Sequence, residues 1–374
     1  MGQDQTELIG EIDAWVADIA GGNLRHLSIS LDELPAASWV ETIAAVTSAS
    51  QWTTLEVNLC NLEAGELEGQ AGAALRAINC TAGAERLTLN LNGTALSEND
   101  AGALLAFLRD RPQCKSLRIS ATPETTTALT ALVYGLPDTG IDDVKLTGAF
   151  TNEQCSIFKE LLNNPRLESF SCVGLSLDGD SLKSFNDLIA RNTGLTSLML
   201  ARTNLSGDDT ISLVQAIGAH ATLESLHFSS TAMDASGWAA LGEAIAASPG
   251  LSMIELPGVL QKRSPLAQEE ALAFIKLLCT CTHLLSLDWR TLLLTKDTLP
   301  YLGKLLRNNP VMFRLGQIDV TDLDMARGLG TVLADIANPL DLHCKGNNEV
   351  RQHMAEVQSA HSAQGKPLLE MHWL

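Results

Sequence analysis

Leu195-Thr-Ser-Leu198-Met-Leu200, Leu223-Glu-Ser-Leu226-His-Phe228 and Leu251-Ser-Met-Ile254-Glu-Leu256 repeat one phrase, with successive copies 28 residues apart. A fixed period of this size marks a stacked-repeat solenoid, whose units bury their apolar sides only against one another. The second anchor of the phrase (Leu198, Leu226, Ile254) recurs outward from this centre. It reaches Phe170, Val144, Leu117, Leu87, Leu55 and Leu27 on one side, and Leu287, Leu315, Leu340 and Leu368 on the other. The unit around Leu315 fits least well, because Gln317 falls where an apolar residue belongs.

Each clear unit continues into a segment of helical spacing. Ile211, Val214 and Ile217, with Leu213 beside them, share one helix face, as do Trp238, Leu241 and Ile245. The unit therefore reads as strand, turn, helix and return turn. The return turns carry helix-stop residues: Asn163-Asn164-Pro165, Arg191-Asn192-Thr193-Gly194, Ser248-Pro249-Gly250 and Asn308-Asn309-Pro310. Asn and Gly accept the left-handed conformation that ends a helix, and Pro cannot continue one.

The stretches Asn-Asn-Pro-Arg-Leu-Glu-Ser-Phe (163–170) and Arg-Asn-Thr-Gly-Leu-Thr-Ser-Leu-Met-Leu (191–200) resemble the ribonuclease-inhibitor class of leucine-rich repeats. The resemblance covers nearly the whole chain. It implies an α/β leucine-rich repeat solenoid (a horseshoe) of twelve to thirteen repeats, with a parallel β-sheet on the concave face and α-helices on the convex face. Cys60, Asn92, Thr122, Thr203 and Thr231 stand where that class often has Asn or Cys after the strand, so the ladder is mixed.

The expected organisation is a capping helix over 1–23, repeats over 24–342 and a capping repeat over 343–374. Leu8, Ile12, Trp15 and Ile19 line one face of the first cap; the second reads as a helix over 348–363 and a last strand from Pro367. Two units are long, through 63–72 and 258–265, and Lys262-Arg263 is a basic spot in the second of these.

The net charge of −19 disfavours nucleic acid and anionic membranes as partners and permits a basic protein. No run approaches the length of a membrane span, so no integral membrane association is expected. Eight scattered cysteines without an export signal peptide suggest buried free thiols and a cytoplasmic setting. Met1-Gly2-Gln-Asp-Gln-Thr6 matches the short N-myristoylation pattern at Gly2, though one acyl chain anchors a protein only marginally.

Catalytic signals are weak. Cys279-Thr-Cys281-Thr-His283 offers three metal-type ligands without an obvious fourth, and reads as a helix end and return turn. His343-Cys344 has no triad signature, and His353 and His361 read as a solvated helix face. Neither a phosphate loop nor a zinc-protease motif is present. We therefore expect no enzyme, no cofactor and no metal.

The residues between the last two anchors should point away from the helices, because strand side chains alternate. They form a column: Ser28, Glu56, Thr88, Arg118, Lys145, Ser171, Met199, His227, Glu255, Asp288 and Asp341. Arg118 and Lys145, with Lys115, lend positive charge to the first half, diluted by Asp142 and Asp143. Met199, Ala201 and Met253 make an apolar centre, and Glu255, Asp288 and Asp341 make the last half acidic. The expected partner-binding residues are Arg118, Lys145, Met199, His227, Met253, Glu255, Asp288 and Arg290.

These features predict a non-enzymatic scaffold that binds a protein partner along the concave face. The Ala/Gly-rich style resembles leucine-rich effectors that bacteria deliver into the host cytosol without a signal peptide. The alternative is a GTPase regulator, since Ran-GTPase activators resemble this chain in repeat type and length but carry a long acidic tail, whereas this chain ends in Glu-Met-His-Trp-Leu.

Overall fold

The computed structural model describes residues 26–30, 38–48, 54–63, 65–78, 86–121, 125–203, 205, 207–229, 235–256, 268–289, 295–309, 312–320, 322–336 and 339–373. The expected first cap, Gly2, Lys262-Arg263 and Arg290 lie outside the described residues.

Strands and helices alternate along the chain, and the strands are hydrogen-bonded in chain order as a parallel ladder. The chain divides into two compact units, 1–173 and 174–374. The first carries β1 (His26–Ser30), α1 (Trp39–Ser48), β2 (Thr54–Asn58), α2 (Gln70–Ala77), β3 (Arg86–Leu91) and α3 (Glu98–Arg109). It continues with β4 (Cys114–Ala121), α4 (Thr126–Gly135), β5 (Asp143–Phe150) and α5 (Cys155–Leu162), and ends within β6 (Ser169–Leu175). The second carries α6 (Gly179–Arg191), β7 (Ser197–Ala201), α7 (Gly207–Gly218), β8 (Ser225–Ser229), α8 (Ala235–Ala247), β9 (Met253–Leu256) and α9 (Gln268–Leu278). After it come β10 (Ser286–Trp289), α10 (Leu299–Asn308), β11 (Met312–Asp319), α11 (Leu323–Ala334), β12 (Leu340–Lys345), α12 (Asn348–Ala363) and β13 (Leu369–Trp373). This is the leucine-rich repeat solenoid that the period implies.

The anchors form the core. Leu55, Leu87, Leu117, Leu198, Leu226 and Leu287 are all buried, as are Trp238, Leu241 and Ile245 of α8. Aromatic contacts tie the helix layer to the strand layer within each unit. In the first, Phe158 of α5 meets Phe150 of β5 edge-on, with centroids 5.3 Å apart, and Phe170 of β6 at 6.2 Å. In the second, Phe274 of α9 meets Trp238 at 5.2 Å and Trp289 of β10 at 4.8 Å, both edge-on. Edge-to-face rings add about 0.5–1.5 kcal/mol beyond their area burial.

Three anchors differ from the sequence reading. Leu287 lies opposite Phe313, so Phe313 and not Leu315 is the second anchor of its unit. Leu315 is buried two residues further on, opposite Trp289 and Leu342. Leu340 lies opposite Leu369, and Leu368 is 65 % exposed. In β4 the register slips: Leu87 faces Cys114 but Thr88 faces Ser116, so Lys115 is the extra residue of a bulge and Leu117 lies opposite Leu89. A fixed spacing cannot reveal such an insertion.

The return turns also differ in mechanism. Among the described residues only Asn61 and Arg202 have positive φ without being glycine. Asn163, Asn192 and Asn309 follow their helices with φ of −80°, −64° and −127°, so none is left-handed. The side chains do the work instead. Asn164 Oδ1 accepts from the Arg166 N–H at 3.0 Å, and Asn192 Oδ1 accepts from Gly194 and Leu195 at 2.9 and 2.8 Å. Asn309 Oδ1 accepts from Leu284 of the preceding return turn at 3.0 Å, and its amide donates to Cys281 and Leu305 carbonyls at 3.0 Å each. Asn164, Asn192, His220, Ser248 and Asn309 are all buried at these corners.

His220 stands in the Asn position, and its Nδ1 accepts from the Thr222 N–H at 3.3 Å. An acceptor nitrogen must be unprotonated, and burial lowers the His220 pKa below its usual 6.5. The unfolded chain therefore takes up the proton first. The stability contributed by neutral His220 is present above pH 6.5 and is lost as pH falls below it. His220→Asn keeps the acceptor without the proton. Urea midpoints measured at neutral pH and at a pH below that value should fall less in the variant than in the wild type; equal falls would refute this role.

Candidate functional site

The side chains that alternate with the buried anchors form columns on the strand face opposite the helices. In the second unit the register sets Met199, His227, Glu255, Asp288, Arg314, Asp341 and Glu370 in one line across β7 to β13. Beside it run Ser197, Ser225, Met253 and Ser286. The expected residues Met199, His227, Met253, Glu255 and Asp288 are thus brought together. Arg314 and Glu370 were missed: the first because Leu315 was taken as the anchor, the second because Leu368 was.

Met253 is 42 % exposed, while Ala201 is buried, so the apolar centre is smaller than the sequence suggests. Glu255 Oε2 lies 2.7 Å from His227 Nδ1. Arg314 Nε lies 3.9 Å from Asp341 Oδ2. A shallow depression of about 270 Å³ opens between Ser225, Met253, Glu255, Ser286, Asp288 and Arg314. Its floor is rigid, because Asp288 sits on a strand whose neighbour Trp289 is fully buried among Trp238 and Phe274.

At the end of this unit a compact cluster appears that spacing alone could not show. Asp341 and His343 alternate on β12, Glu370 and His372 alternate on β13, and the register puts Asp341 beside Glu370 and His343 beside His372. His372 Nε2 lies 3.3 Å from Asp341 Oδ1 and 3.7 Å from Glu370 Oε2. His343 Nε2 lies 3.7 Å from the same Asp341 oxygen, and the two imidazoles stack with centroids 4.9 Å apart.

In the first unit the bulge in β4 changes the expected column. Thr88 is followed by Ser116 and Asp143, while Arg118 and Lys145 continue the next column from Asn58 and Asn90. Arg118 Nη1 reaches back to Glu56 Oε1 at 2.7 Å. Arg86 contacts Asp142 at 3.6 Å and Asp143 at 3.2 Å, and Lys115 contacts Asp142 at 3.6 Å. The positive charge expected here is therefore largely paired within the unit.

Other candidates resolve into structural roles. Cys279 and Cys281 are buried; burial pushes the Cys279 thiol up and the Cys281 thiol to about 11, so neither is a ready thiolate. His361 is buried rather than solvated, with Nε2 3.1 Å from the Pro367 carbonyl, and docks α12 on the approach to β13. Cys172 and Cys344 are buried free thiols, Cys114 is buried, and Cys60 and Cys155 are half-buried. Among the described residues no helix is long and apolar enough to cross a membrane.

No family model matches the chain, and no curated protein matches it. Among solved structures it is similar to a chain of the crystal structure of the TLR13–ssRNA13 complex, at 14 % identity and a TM-score of 0.35. That match covers 90 % of this chain and 54 % of the other, so this chain spans about half the length of the protein it matches. Likeness at this level carries no functional argument.

The Arg118–Glu56 pair is part-exposed on both sides. Such pairs contribute about 0–1 kcal/mol and are screened by salt. Arg118→Ala should therefore lower unfolding free energy by less than about 1 kcal/mol in a urea titration, and less again at high salt. A larger, salt-insensitive loss would show that Arg118 carries packing rather than charge.

Proposed function

We propose that this protein is a non-enzymatic interaction scaffold that binds a basic protein segment on the strand face of its second unit. One observation carries the reading. Among the described residues of a single column, four carboxylates (Glu255, Asp288, Asp341 and Glu370) stand in line with one guanidinium, that of Arg314, beside the exposed Met253. Clustered like charge on a rigid face steers an oppositely charged partner and sets specificity. An exposed methionine beside it supplies adaptable apolar contact. Met199, His227, Met253 and Glu255 form the contact surface in this reading, while Asp288, which is buried, lends its charge from the floor. Arg118 and Lys145 belong to the first unit and stand outside this surface; Arg118 is paired with Glu56.

The finer assignments rest on narrower support. A full α-helix in most repeats, such as the 13 residues of α6, favours the ribonuclease-inhibitor type. The Ala/Gly-rich style favours a delivered effector acting in a host cytosol. A GTPase regulator remains the alternative, decided by whether the chain accelerates GTP hydrolysis.

Capture of partners by immobilised full-length protein, with binding of the captured protein then quantified, tests the scaffold reading. Met253→Asp and Glu255→Lys should each weaken the interaction by about tenfold or more, the size of one lost contact of about 1.4 kcal/mol. Arg118→Ala should leave it unchanged. Unaltered affinity in both second-unit variants would remove this face as the binding surface.

A further inference from the structure

We propose that Asp341, His343 and His372, with Glu370 at the rim, form a binding site for a divalent transition-metal ion of the zinc class. The proposal does not depend on the protein-binding reading. Three kinds of observation support it.

The first is ligand chemistry. Two imidazoles and a carboxylate are the donor set that borderline divalent ions prefer, whereas calcium and magnesium favour all-oxygen shells. The three ligand atoms all lie within 4.8 Å of one another.

The second is spacing. Zinc bonds of about 2.0–2.1 Å at tetrahedral angles put neighbouring ligand atoms about 3.4 Å apart. Here the histidine nitrogens lie 3.3 and 3.7 Å from Asp341 Oδ1, so two edges of the triangle are already close to those of that tetrahedron, and the third is within 4.8 Å. Small rotations of part-exposed side chains suffice to close it, since His343 is 35 % and His372 52 % exposed while Asp341 is 23 %.

The third is an unsatisfied acceptor. Asp341 Oδ1 is shielded from solvent and makes no hydrogen bond among the described residues, although two imidazole nitrogens face it. Arg314 engages the other oxygen, Oδ2, at 3.9 Å, and so leaves Oδ1 to the cluster. A buried oxygen without a hydrogen bond costs free energy, and a cation held between it and the two imidazoles would satisfy it.

The backbone supports this arrangement. Residues at i and i+2 of one strand share a face, and parallel pairing sets the equivalent two of the next strand beside them. The four side chains thus occupy a two-by-two patch of the ladder, held by the β12–β13 register. Three protein ligands leave a fourth position open for Glu370, water or a donor group from a bound molecule.

Calorimetric titration of the metal-free full-length chain with zinc chloride, and in parallel with magnesium chloride, tests the site. The expected result is one equivalent of zinc bound, no magnesium heat, and a higher melting temperature with zinc. Two further variants assign the binding. His343→Ala/His372→Ala, checked for an unchanged melting temperature without metal, should weaken zinc binding by at least about tenfold and abolish the thermal shift. Asp341→Asn should weaken binding while leaving both histidines in place. Zinc binding undiminished in the double-histidine variant would overturn the proposal, as would a folded wild-type chain that takes up no zinc. With cobalt in place of zinc, visible absorption of tetrahedral intensity should appear in the wild type and be lost in the double variant.

Discussion

In the described repeats the chain leaves its helix and enters the next strand through a corner that buries one polar side chain (Asn164, Asn192, His220, Ser248 or Asn309), and this corner constrains everything else. The polar side chain that turns inward there must find partners, since a buried donor or acceptor left unpaired costs about 1–3 kcal/mol. Asn164, Asn192 and His220 accept from the N–H two residues on. Ser248 donates back to Gly218 of the previous corner, and Asn308 and Asn309 donate to Cys279 and Cys281. Several polar residue types therefore serve one position, provided that each is small or flat, buried and able to bond.

The corner also fixes the strand that follows it. The first buried leucine comes three residues later in four repeats, as Asn164–Leu167, Asn192–Leu195, His220–Leu223 and Ser248–Leu251. Once that leucine is inside, alternation decides every following side chain, since a slip by one residue would turn the whole strand over. The open strand face is therefore assembled indirectly. Its residues make few of the contacts that build the core, yet their lateral neighbours are set by the corners.

This division explains what could be read from the chain alone. The second anchors Leu198, Leu226 and Ile254 are spaced evenly because the corners between them are equally long, and they pair as expected. Helix α12 likewise follows from its own periodicity. Where a bulge or a longer strand intervenes, even spacing misleads. Lys115 shears the column at Arg118, and in β11 it is Phe313, two residues before the expected Leu315, that pairs with Leu287 and Leu340. Asn stands at the helix ends as its turn chemistry suggests, yet with a negative φ, because sequence shows which residue stands at a corner and not which of its groups acts. The histidine cluster lay beyond reach for a related reason. His343 and His372 are 29 residues apart in sequence and become neighbours only through the ladder of β12 and β13.

The same ladder gives the acidic column its energetic character. Adjacent parallel strands lie about 4.8 Å apart, and two unit charges at that distance repel by about 1 kcal/mol even in bulk water. The first unit meets its charge internally, with Arg86, Lys115 and Arg118 against Asp142, Asp143 and Glu56. In the second, Arg314 separates Asp288 from Asp341 in the middle of the column, and His227 covers Glu255 at one end. At the other end Asp341 and Glu370 are direct neighbours, and His343 and His372 stand against them, with Arg314 on the far oxygen of Asp341. Clustered carboxylates of this kind favour whatever brings positive charge to this face. Along Glu255 and Asp288 the surface is broad and borders an exposed methionine, which suits a basic peptide surface; at Asp341 the donors converge on a single point, which suits an ion.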